Sequence, residues 1–283
     1  MKLWLHTVFV FLLALVLVNS AQAQETTRLL RQPTINQTDI AFVYGGDLWT
    51  VSRAGGVARR LTANPSLKRY PKFSPDGKSL AFTGNYDGNY DVYVIPAEGG
   101  EPVRLTYHPA PDFVMGWTPD SQSVLFRSGR QSHTQRINQL FTVPVKGGIS
   151  QKLPLPEAGL ASYSPDGKQI AYNRIQRESS TWKRYRGGLQ AYVSVFDLTN
   201  NQYSELPHTN TTDFYPIWIG DKIYFASDRT NTVNLYVYNT NNKSVKQLTR
   251  YTDYDVKWPS AGSDAIVFEH AGEINILDVK TEK

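Results

Sequence analysis

Apolar and polar residues alternate along this chain in many short segments, without the spacing of amphipathic helices. The clearest segments are residues 47–51, 91–95, 139–143 and 234–238. A period of two is typical of β-strands, whose successive side chains point to opposite faces. The pattern therefore predicts an all-β protein built from many short strands.

A longer phrase recurs with variations, as PKFSPDGKSLAF at 71–82, GWTPDSQSVLF at 116–126 and SYSPDGKQIAY at 162–172. It predicts a strand, a tight turn and a second strand, because Pro, Asp and Gly favour successive positions of such a turn. Aromatic residues mark the second strand of each unit, at spacings of 40 to 53 residues: Phe42, Phe82, Phe126, Tyr172, Phe225 and Phe268. Units of this length are typical of β-propeller blades.

We therefore predict a six-bladed β-propeller of four-stranded antiparallel blades over residues 24–283, with the last blade incomplete. The blades are expected near 32–63, 64–108, 109–158, 159–210, 211–253 and 254–283. Glycine pairs at 55–56, 99–100 and 147–148 predict the hairpins between third and fourth strands. Residues 27–31 are similar to the fourth strands. They are predicted to pair with a strand at 273–277 and close the ring, the alternative being an open ring held by side-chain packing between blades one and six.

The first residues indicate export. Lys2 precedes an uncharged apolar run at 8–18, and Ala21-Gln22-Ala23 fits a signal peptidase site. We expect residues 1–23 to be a signal peptide cleaved after Ala23, which would place the mature protein in a periplasm. The apolar run is shorter than the about 20 residues a membrane-spanning helix needs, so no stable membrane insertion is expected.

Composition narrows the possible chemistry. The chain has no cysteine, which excludes thiol catalysis, iron–sulfur clusters and cysteine-based zinc sites. Its 30 basic and 25 acidic residues leave a modest positive charge. Such an excess is compatible with a nucleic-acid partner, but export argues against one. No cofactor is expected.

No catalytic residue is predicted within the chain. A Gly-x-Ser-x-Gly elbow is missing from the sequence, and His108, His133, His208 and His270 fall in different predicted blades. The oxygen-rich stretch 85–91 is a conceivable metal loop. It has no distal glutamate to complete a calcium site, so a hairpin turn is favoured and no metal site is predicted.

Two basic segments are the candidate functional sites. The segment between the second and third strands of blade three carries arginines, and an insertion in blade four adds basic residues and aromatics; the candidates are Arg127, Arg130, Arg136, Trp182, Lys183, Arg184 and Arg186. Arginine binds carboxylates through two parallel hydrogen bonds. Both segments are expected on the same face of the propeller, where they could meet near the channel mouth. Docking of another domain, contact with a peptide, and a solvated loop all remain open.

The repeats resemble the WD40-like blades of TolB, of dipeptidyl-peptidase-type propellers and of tricorn proteases. Two stretches narrow this resemblance: IAFVYGGDLW at 40–49 and ESSTWKRYRGG at 178–188 are similar to the first and fourth blades of bacterial tricorn-protease homologues. The resemblance implies the amino-terminal, six-bladed part of a longer exported serine peptidase, whose catalytic residues lie beyond this chain. In that family the propellers gate and channel peptides.

The partners implied by this resemblance are peptides and the remaining domains of the same polypeptide, and homo-oligomerisation stays open. Two other interpretations remain. One is a stand-alone periplasmic TolB-like propeller that binds proteins, and the other is the propeller cap of a dipeptidyl-peptidase-like hydrolase. The region of the parent polypeptide after residue 283 would distinguish the three.

Overall fold

The computed structural model describes residues 27–133, 137–176, 178 and 183–283. These residues form antiparallel strands and turns, and they include no helix long and apolar enough to cross a membrane. The predicted signal peptide, the cleavage point after Ala23, and the candidates Arg136 and Trp182 lie outside the described residues.

The strands form six separate sheets, one for each blade. The first blade contains β1 (Arg31–Ile35), β2 (Asp39–Tyr44), β3 (Asp47–Ser52) and β4 (Arg59–Arg60). The second contains β5 (Lys68–Phe73), β6 (Ser79–Gly84), β7 (Asp91–Pro96) and β8 (Val103–Arg104). The third contains β9 (Asp112–Trp117), β10 (Ser123–Ser128), β11 (Gln139–Pro144) and β12 (Gln151–Lys152).

Blade four contains β13 (Ala161–Tyr163), β14 (Gln169–Asn173), β15 (Val193–Asp197) and β16 (Tyr203–Glu205). Blade five contains β17 (Asp213–Ile219), β18 (Lys222–Thr230), β19 (Thr232–Asn239) and β20 (Val245–Gln247). Blade six has three strands among the described residues, β21 (Lys257–Ala261), β22 (Ala265–His270) and β23 (Glu273–Asp278). The predicted all-β fold with six blades and an incomplete last blade is confirmed.

The core lies between the faces of neighbouring blades. One buried cluster combines Leu48 of blade one with Phe82 and Ile95 of blade two, and another combines Tyr224 of blade five with Ile266 of blade six. Strands buried on both faces explain why the second strands carry unbroken apolar runs. Packing of sheet against sheet therefore positions the first strand of each blade around one central axis. We call these six strands (β1, β5, β9, β13, β17 and β21) the inner strands.

The recurring Ser-Pro-Asp-Gly phrase forms the hairpin between the first and second strands, as predicted. The Ser74 hydroxyl donates to Asp76 Oδ1 at 2.6 Å, and Ser164 donates to Asp166 Oδ1 at the same distance. Gly77 follows with a φ of 72°, a left-handed conformation that glycine adopts at no steric cost. The hydrogen bond from Ser74 holds the pKa of Asp76 below its usual value.

A second repeated arrangement links the third strand to the short fourth strand. Asp47 accepts hydrogen bonds from Thr62 and Arg60, and Asp91 accepts equivalent bonds from Thr106 and Arg104. Each threonine hydroxyl also accepts from a backbone N–H of the third strand, at 3.0 and 2.9 Å. The recurring Arg-Leu-Thr sequence therefore fastens the outer strand where its backbone ladder is only two residues long.

The predicted closure of the ring by residues 27–31 is wrong. Residues 27–30 are not in a strand, and Arg31 already begins the inner strand β1, which pairs with β2. Leu29 donates one backbone hydrogen bond to Gly272 instead of forming a ladder with β23. Blades one and six are joined by side chains, which is the alternative interpretation. Arg31 pairs with Glu269, and Ile35 packs in a buried cluster with Val267.

Candidate functional site

The six inner strands enclose an axial chamber of about 600 Å³. It is lined by inner-strand residues of all six blades and reaches the hairpins that connect the first and second strands, including those at Asn36, Ser74 and Ser164. A cavity of this size is within the usual range for small-ligand sites. Because each blade contributes lining residues, the repeat positions of the inner strand determine its chemistry.

Four inner strands share a bulge that sequence reasoning missed. Gln32, Tyr70, Tyr215 and Trp258 have positive φ angles of 50°, 55°, 57° and 50°, and each is followed by proline. The strand register shifts at each of these positions. Proline suits a bulge because it has no N–H group to leave unpaired. The residue before it adopts a left-handed conformation, which costs a non-glycine residue roughly 1–2 kcal/mol. All four residues line the chamber. The repeated X-Pro pairs were the available signal in the sequence.

Three of these strained positions bring aromatic rings together across the axis. The Trp258 ring centroid lies 5.6 Å from that of Tyr70 and 5.7 Å from that of Tyr215, and Tyr70 lies 5.8 Å from Phe113. We call these four residues, from blades two, three, five and six, the aromatic collar. Trp258 of blade six contacts the Tyr70 ring of blade two, although blade one lies between these two blades in the ring. The aromatic collar therefore narrows the chamber where it crosses the axis. Burial raises the pKa of Tyr215 well above its usual value, which keeps this hydroxyl neutral.

A buried ion pair lies against the aromatic collar. Arg127 Nη2 donates to Glu178 Oε1, and the Arg127 guanidinium lies 5.3 Å from the Phe113 ring centroid and 5.8 Å from that of Tyr70. Burial by itself lowers the pKa of Arg127, but the Glu178 carboxylate more than offsets this and raises it. The sequence placed Arg127 in the loop after the second strand, whereas the structure places it within β10 with its side chain buried.

Arg130 occupies a position that is repeated in another blade. Its guanidinium binds the Asp112 carboxylate and lies over the rings of Phe126 and Phe141 at 5.0 and 5.3 Å. In blade five, Arg229 binds Asp213 at 2.7 Å and lies over Phe225 and Tyr236 in the same way. The recurrence shows that this arginine connects the second strand of its own blade to the start of the inner strand.

The blade-four insertion extends over blades five and six. Lys183 Nζ lies 2.6 Å from Asp255 Oδ2, and Arg184 Nε donates to the Asn231 carbonyl at 3.1 Å. Arg186 makes two hydrogen bonds to the Asp228 carboxylate, at 2.8 and 3.1 Å. These basic side chains therefore bind the propeller itself, an arrangement that the sequence analysis did not consider.

Blades three and four contact each other at residues that flank the two basic segments. Besides the ion pair between Arg127 and Glu178, Asn138 Nδ2 donates to Gln176 Oε1 at 2.7 Å. The Arg127 contacts with the aromatic collar place this meeting point beside the axis.

A lysine that sequence reasoning missed lines the axial chamber. Lys72 Nζ donates to Ser260 Oγ at 2.9 Å, and Ser260 Oγ in turn donates to Thr34 Oγ1 at 3.3 Å. All three residues occupy the same repeat position, directly after the X-Pro pair of blades two, six and one. Burial lowers the pKa of Lys72 to about 8.

The oxygen-rich loop at 85–91 uses its carboxylates within the fold. Arg104 binds Asp87 at 2.9 Å and Asp91 at 2.7 Å, and Asn89 donates to the His108 carbonyl. In the part of the chain that the structure describes, no three His, Asp or Glu side chains are grouped closely enough to hold a metal ion.

The geometry defines a six-bladed β-propeller with a narrowed axial chamber. Residues 27–283 match the family described as the tricorn protease N-terminal beta propeller domain, so the chain belongs to that family. It is 29% identical over 251 residues to tricorn protease homolog 1 of Streptomyces coelicolor, covering 88% of this chain and 23% of that protein. The chain thus spans about a quarter of the length of the curated relative.

Solved structures show the same fold. The crystal structure of the tricorn protease superposes with a TM-score of 0.80 at 24% identity, covering 91% of this chain and 26% of the other. A putative TolB from Agrobacterium tumefaciens gives a TM-score of 0.65 at 19% identity, covering 79% of this chain and 82% of the other. At these identities the likeness concerns the fold alone.

Proposed function

We propose that this chain is the N-terminal propeller of an exported tricorn-type serine peptidase, in which it channels peptides and supports domain assembly without cleaving them. The observation that carries this proposal is the axial chamber, narrowed by the aromatic collar, in a chain of the tricorn propeller family. A chamber of about 600 Å³ would accept a short peptide segment, since folded domains are much larger than this volume. The catalytic residues would belong to the rest of the polypeptide.

Support for assembly comes from the face that carries the blade-four insertion. Lys183 keeps 69% of its side chain exposed although it binds Asp255, and Arg186 keeps 28% exposed while binding Asp228. Residues 183–186 are therefore held against blades five and six and still present basic groups outward. Such a surface suits contact with another domain, or with a peptide carboxylate entering the channel.

The two roles of the insertion can be separated in the full-length protein. Arg184 and Arg186 would be changed together to alanine, with Arg174→Ala as the matched control because Arg174 forms an exposed pair with Glu157. Assembly would be measured by light scattering and peptide cleavage by chromatography. Unchanged assembly with weaker cleavage favours peptide contact, whereas lost assembly favours docking. If the double variant and the control both match the wild type, the insertion has neither role.

Export has its own test. The chain with its first residues intact would be expressed in a Gram-negative host and fractionated, and the N-terminus of the product would be determined by mass spectrometry. We expect a periplasmic protein beginning at Gln24, because the small-x-small site ends at Ala23. An unprocessed protein in the cytoplasm would contradict the export part of the proposal.

The likeness to a TolB structure supports a second candidate, a stand-alone propeller that binds proteins in the periplasm. The two candidates differ in the region of the parent polypeptide after residue 283. A peptidase region there favours the tricorn-type enzyme, and a stop codon favours the binding propeller.

A further inference from the structure

We propose that the axial chamber contains a carboxylate-binding site centred on Lys72, which receives the carboxylate of a short peptide whose side chain packs on the aromatic collar. The site deepens the proposed function, because it names the group that a peptide in the channel would present. It can nevertheless be tested by binding alone. Its failure would therefore be distinct from a failure of peptide channelling.

The first argument is the position of the ammonium group. Lys72 belongs to β5 of blade two, whereas its hydrogen-bond acceptor Ser260 belongs to β21 of blade six. Blade one lies between them, and Thr34 of that blade bonds to Ser260. The lysine side chain must therefore pass along the axial side of β1, within the chamber that all three residues line.

The second argument is charge. Among the described residues that line the chamber, Lys72 is the one cation and Asp76 is the one anion. Asp76 is occupied in its own turn, where it accepts from Ser74 and from the Lys78 N–H. No ion pair in the described part of the chain joins Lys72 to a carboxylate. Lys72 is only partly accessible to water, so a cation without a counter-charge there is less well solvated, and a bound anion would offset this cost.

The third argument is the set of neighbouring groups. The Ser260 hydroxyl accepts from the ammonium and donates to the Thr34 hydroxyl, so the position of the ammonium is fixed by neutral groups that leave its charge uncompensated. Tyr70 lies two residues before Lys72 in β5, and both residues line the chamber. A ligand that joins a carboxylate to an apolar side chain, such as a C-terminal aromatic or aliphatic residue, matches both features.

Binding by the whole chain would be measured by isothermal titration calorimetry with N-acetylphenylalanine, its amide, and N-acetylaspartate amide. The first probe presents a C-terminal carboxylate and the third presents a side-chain carboxylate, so these two arms distinguish the sources. We expect at least one carboxylate probe to bind about 10-fold or more tightly than the neutral amide. Equal binding of all three probes, or no binding, would overturn the proposal.

Lys72→Met removes the charge while retaining most of the side-chain volume, and Lys78→Met is the matched control in the adjoining exposed turn. We expect the first variant to bind carboxylate probes no better than the amide and the control to bind like the wild type. Carboxylate affinity unchanged in Lys72→Met would rule out the site.

A pH series on the unaltered chain gives the same test without depending on a folded variant. Because Lys72 is charged below a pKa of about 8, carboxylate affinity should be high near about pH 6.5 and lost near about pH 9.5. The other titratable groups that face the chamber are Asp76, Tyr70, Tyr163 and Tyr215. The pKa of Asp76 is lowered and burial raises that of Tyr163 to about 12, so neither group titrates in this window.

Lysine side-chain NMR would add a site-specific readout. The bound carboxylate stabilises the ammonium form, so the probe should raise the pKa of Lys72 relative to the free chain. A carboxylate affinity that does not change between about pH 6.5 and about pH 9.5, or a Lys72 pKa unmoved by a saturating probe, would contradict the proposal.

Discussion

Arg127 of blade three and Glu178 of the blade-four insertion form an ion pair with only 4% and 2% of their side chains exposed. The pair connects two blades directly beside the aromatic collar, because the Arg127 guanidinium faces the rings of Tyr70 and Phe113. Charges at such depth are costly to leave without a partner, so the two residues depend on each other.

Arg127→Met should therefore lower the free energy of unfolding by about 3–5 kcal/mol, because Glu178 would remain buried without its counter-charge. The double change Arg127→Met with Glu178→Leu should cost less than the sum of the two single changes. The exposed pair of Arg174 and Glu157 provides the control, and Glu157→Gln should cost at most about 1 kcal/mol. Urea unfolding measures all four variants, and additive effects at the buried pair would contradict this expectation.

The hairpin aspartates should contribute a pH-dependent part of stability. The Thr118 hydroxyl donates to Asp120 at 2.6 Å and is the main cause that lowers the pKa of Asp120 from its usual 3.8. Because this pKa is lowered in the folded state, the stabilisation is complete above about pH 5 and is lost as the pH falls below about 4. Asp120→Asn should cost about 0.5–1 kcal/mol at neutral pH, and the difference should shrink towards about pH 3. Glu101→Gln, at an exposed position, is the control for general charge effects in the same urea titrations. A cost for Asp120→Asn that stays constant from about pH 7 to about pH 3 would contradict this assignment.

Trp258 should be the most costly single ring of the aromatic collar to remove, since it contacts Tyr70 and Tyr215 at once. Trp258→Ala is expected to lower the free energy of unfolding by about 3–5 kcal/mol. Trp258→Phe retains a ring and should lose less than half as much. Thermal and urea unfolding would report both variants, and equal losses would show that ring contact across the axis is not what stabilises the collar.

Arg186 should hold the blade-four insertion against blade five through its two hydrogen bonds to Asp228. Arg186→Ala is expected to accelerate tryptic cleavage after Lys183 and Arg184 several-fold, because local opening exposes these bonds to the protease. Global stability should fall by no more than about 2 kcal/mol, since the pair is partly exposed. Arg174→Ala is the control. Cleavage at the wild-type rate would show that other contacts hold the insertion.

Much of the fold could be predicted from the sequence because the signals are local and repeated. The period-two pattern, the Ser-Pro-Asp-Gly hairpins and the spacing of the second-strand aromatics each identify a blade without long-range information. The third strands beginning at Asp47, Asp91 and Gln139 start where the pattern predicted. The sequence also showed an unfinished repeat at blade six, which has three strands among the described residues.

The candidate site could be predicted only in part, because its residues act across blades. Glu178 belongs to a sequence signature, and only the folded chain shows that it is the counter-charge of Arg127. Lys72 has the sequence context of an ordinary strand lysine, and only the ring brings Ser260 beside it. The X-Pro bulges had a sequence signal, but their left-handed backbone arises from packing at the axis and is not favoured by Tyr or Trp themselves.

The close backbone contact between blades one and six can be tested at a single glycine. Gly262 lies so close to the Ile35 carbonyl that a Cβ there would approach the oxygen to 2.8 Å. Gly262→Ala should therefore cost about 1–3 kcal/mol, because two backbones must separate. Gly188→Ala, where a Cβ meets nothing within 4 Å, should leave stability within about 0.5 kcal/mol. Differential scanning calorimetry would compare the two, and similar melting temperatures would contradict the close approach.

Closure through side chains gives the toroid one boundary that no stretch of the described polypeptide crosses. Between Leu29 and Gly272 there is a single backbone–backbone hydrogen bond, and the rest of the contact includes apolar packing, the ion pairs Arg31–Glu269 and Arg53–Asp264, and side-chain hydrogen bonds such as that from Ser260 to Thr34. Within the described residues, separating these two blades would break no β-sheet hydrogen bonds and would stretch no connecting segment. Every other pair of neighbouring blades is joined by a stretch of the chain. We therefore expect unfolding to begin with the separation of blade one from blade six, so that the ring opens before any of the six sheets is lost.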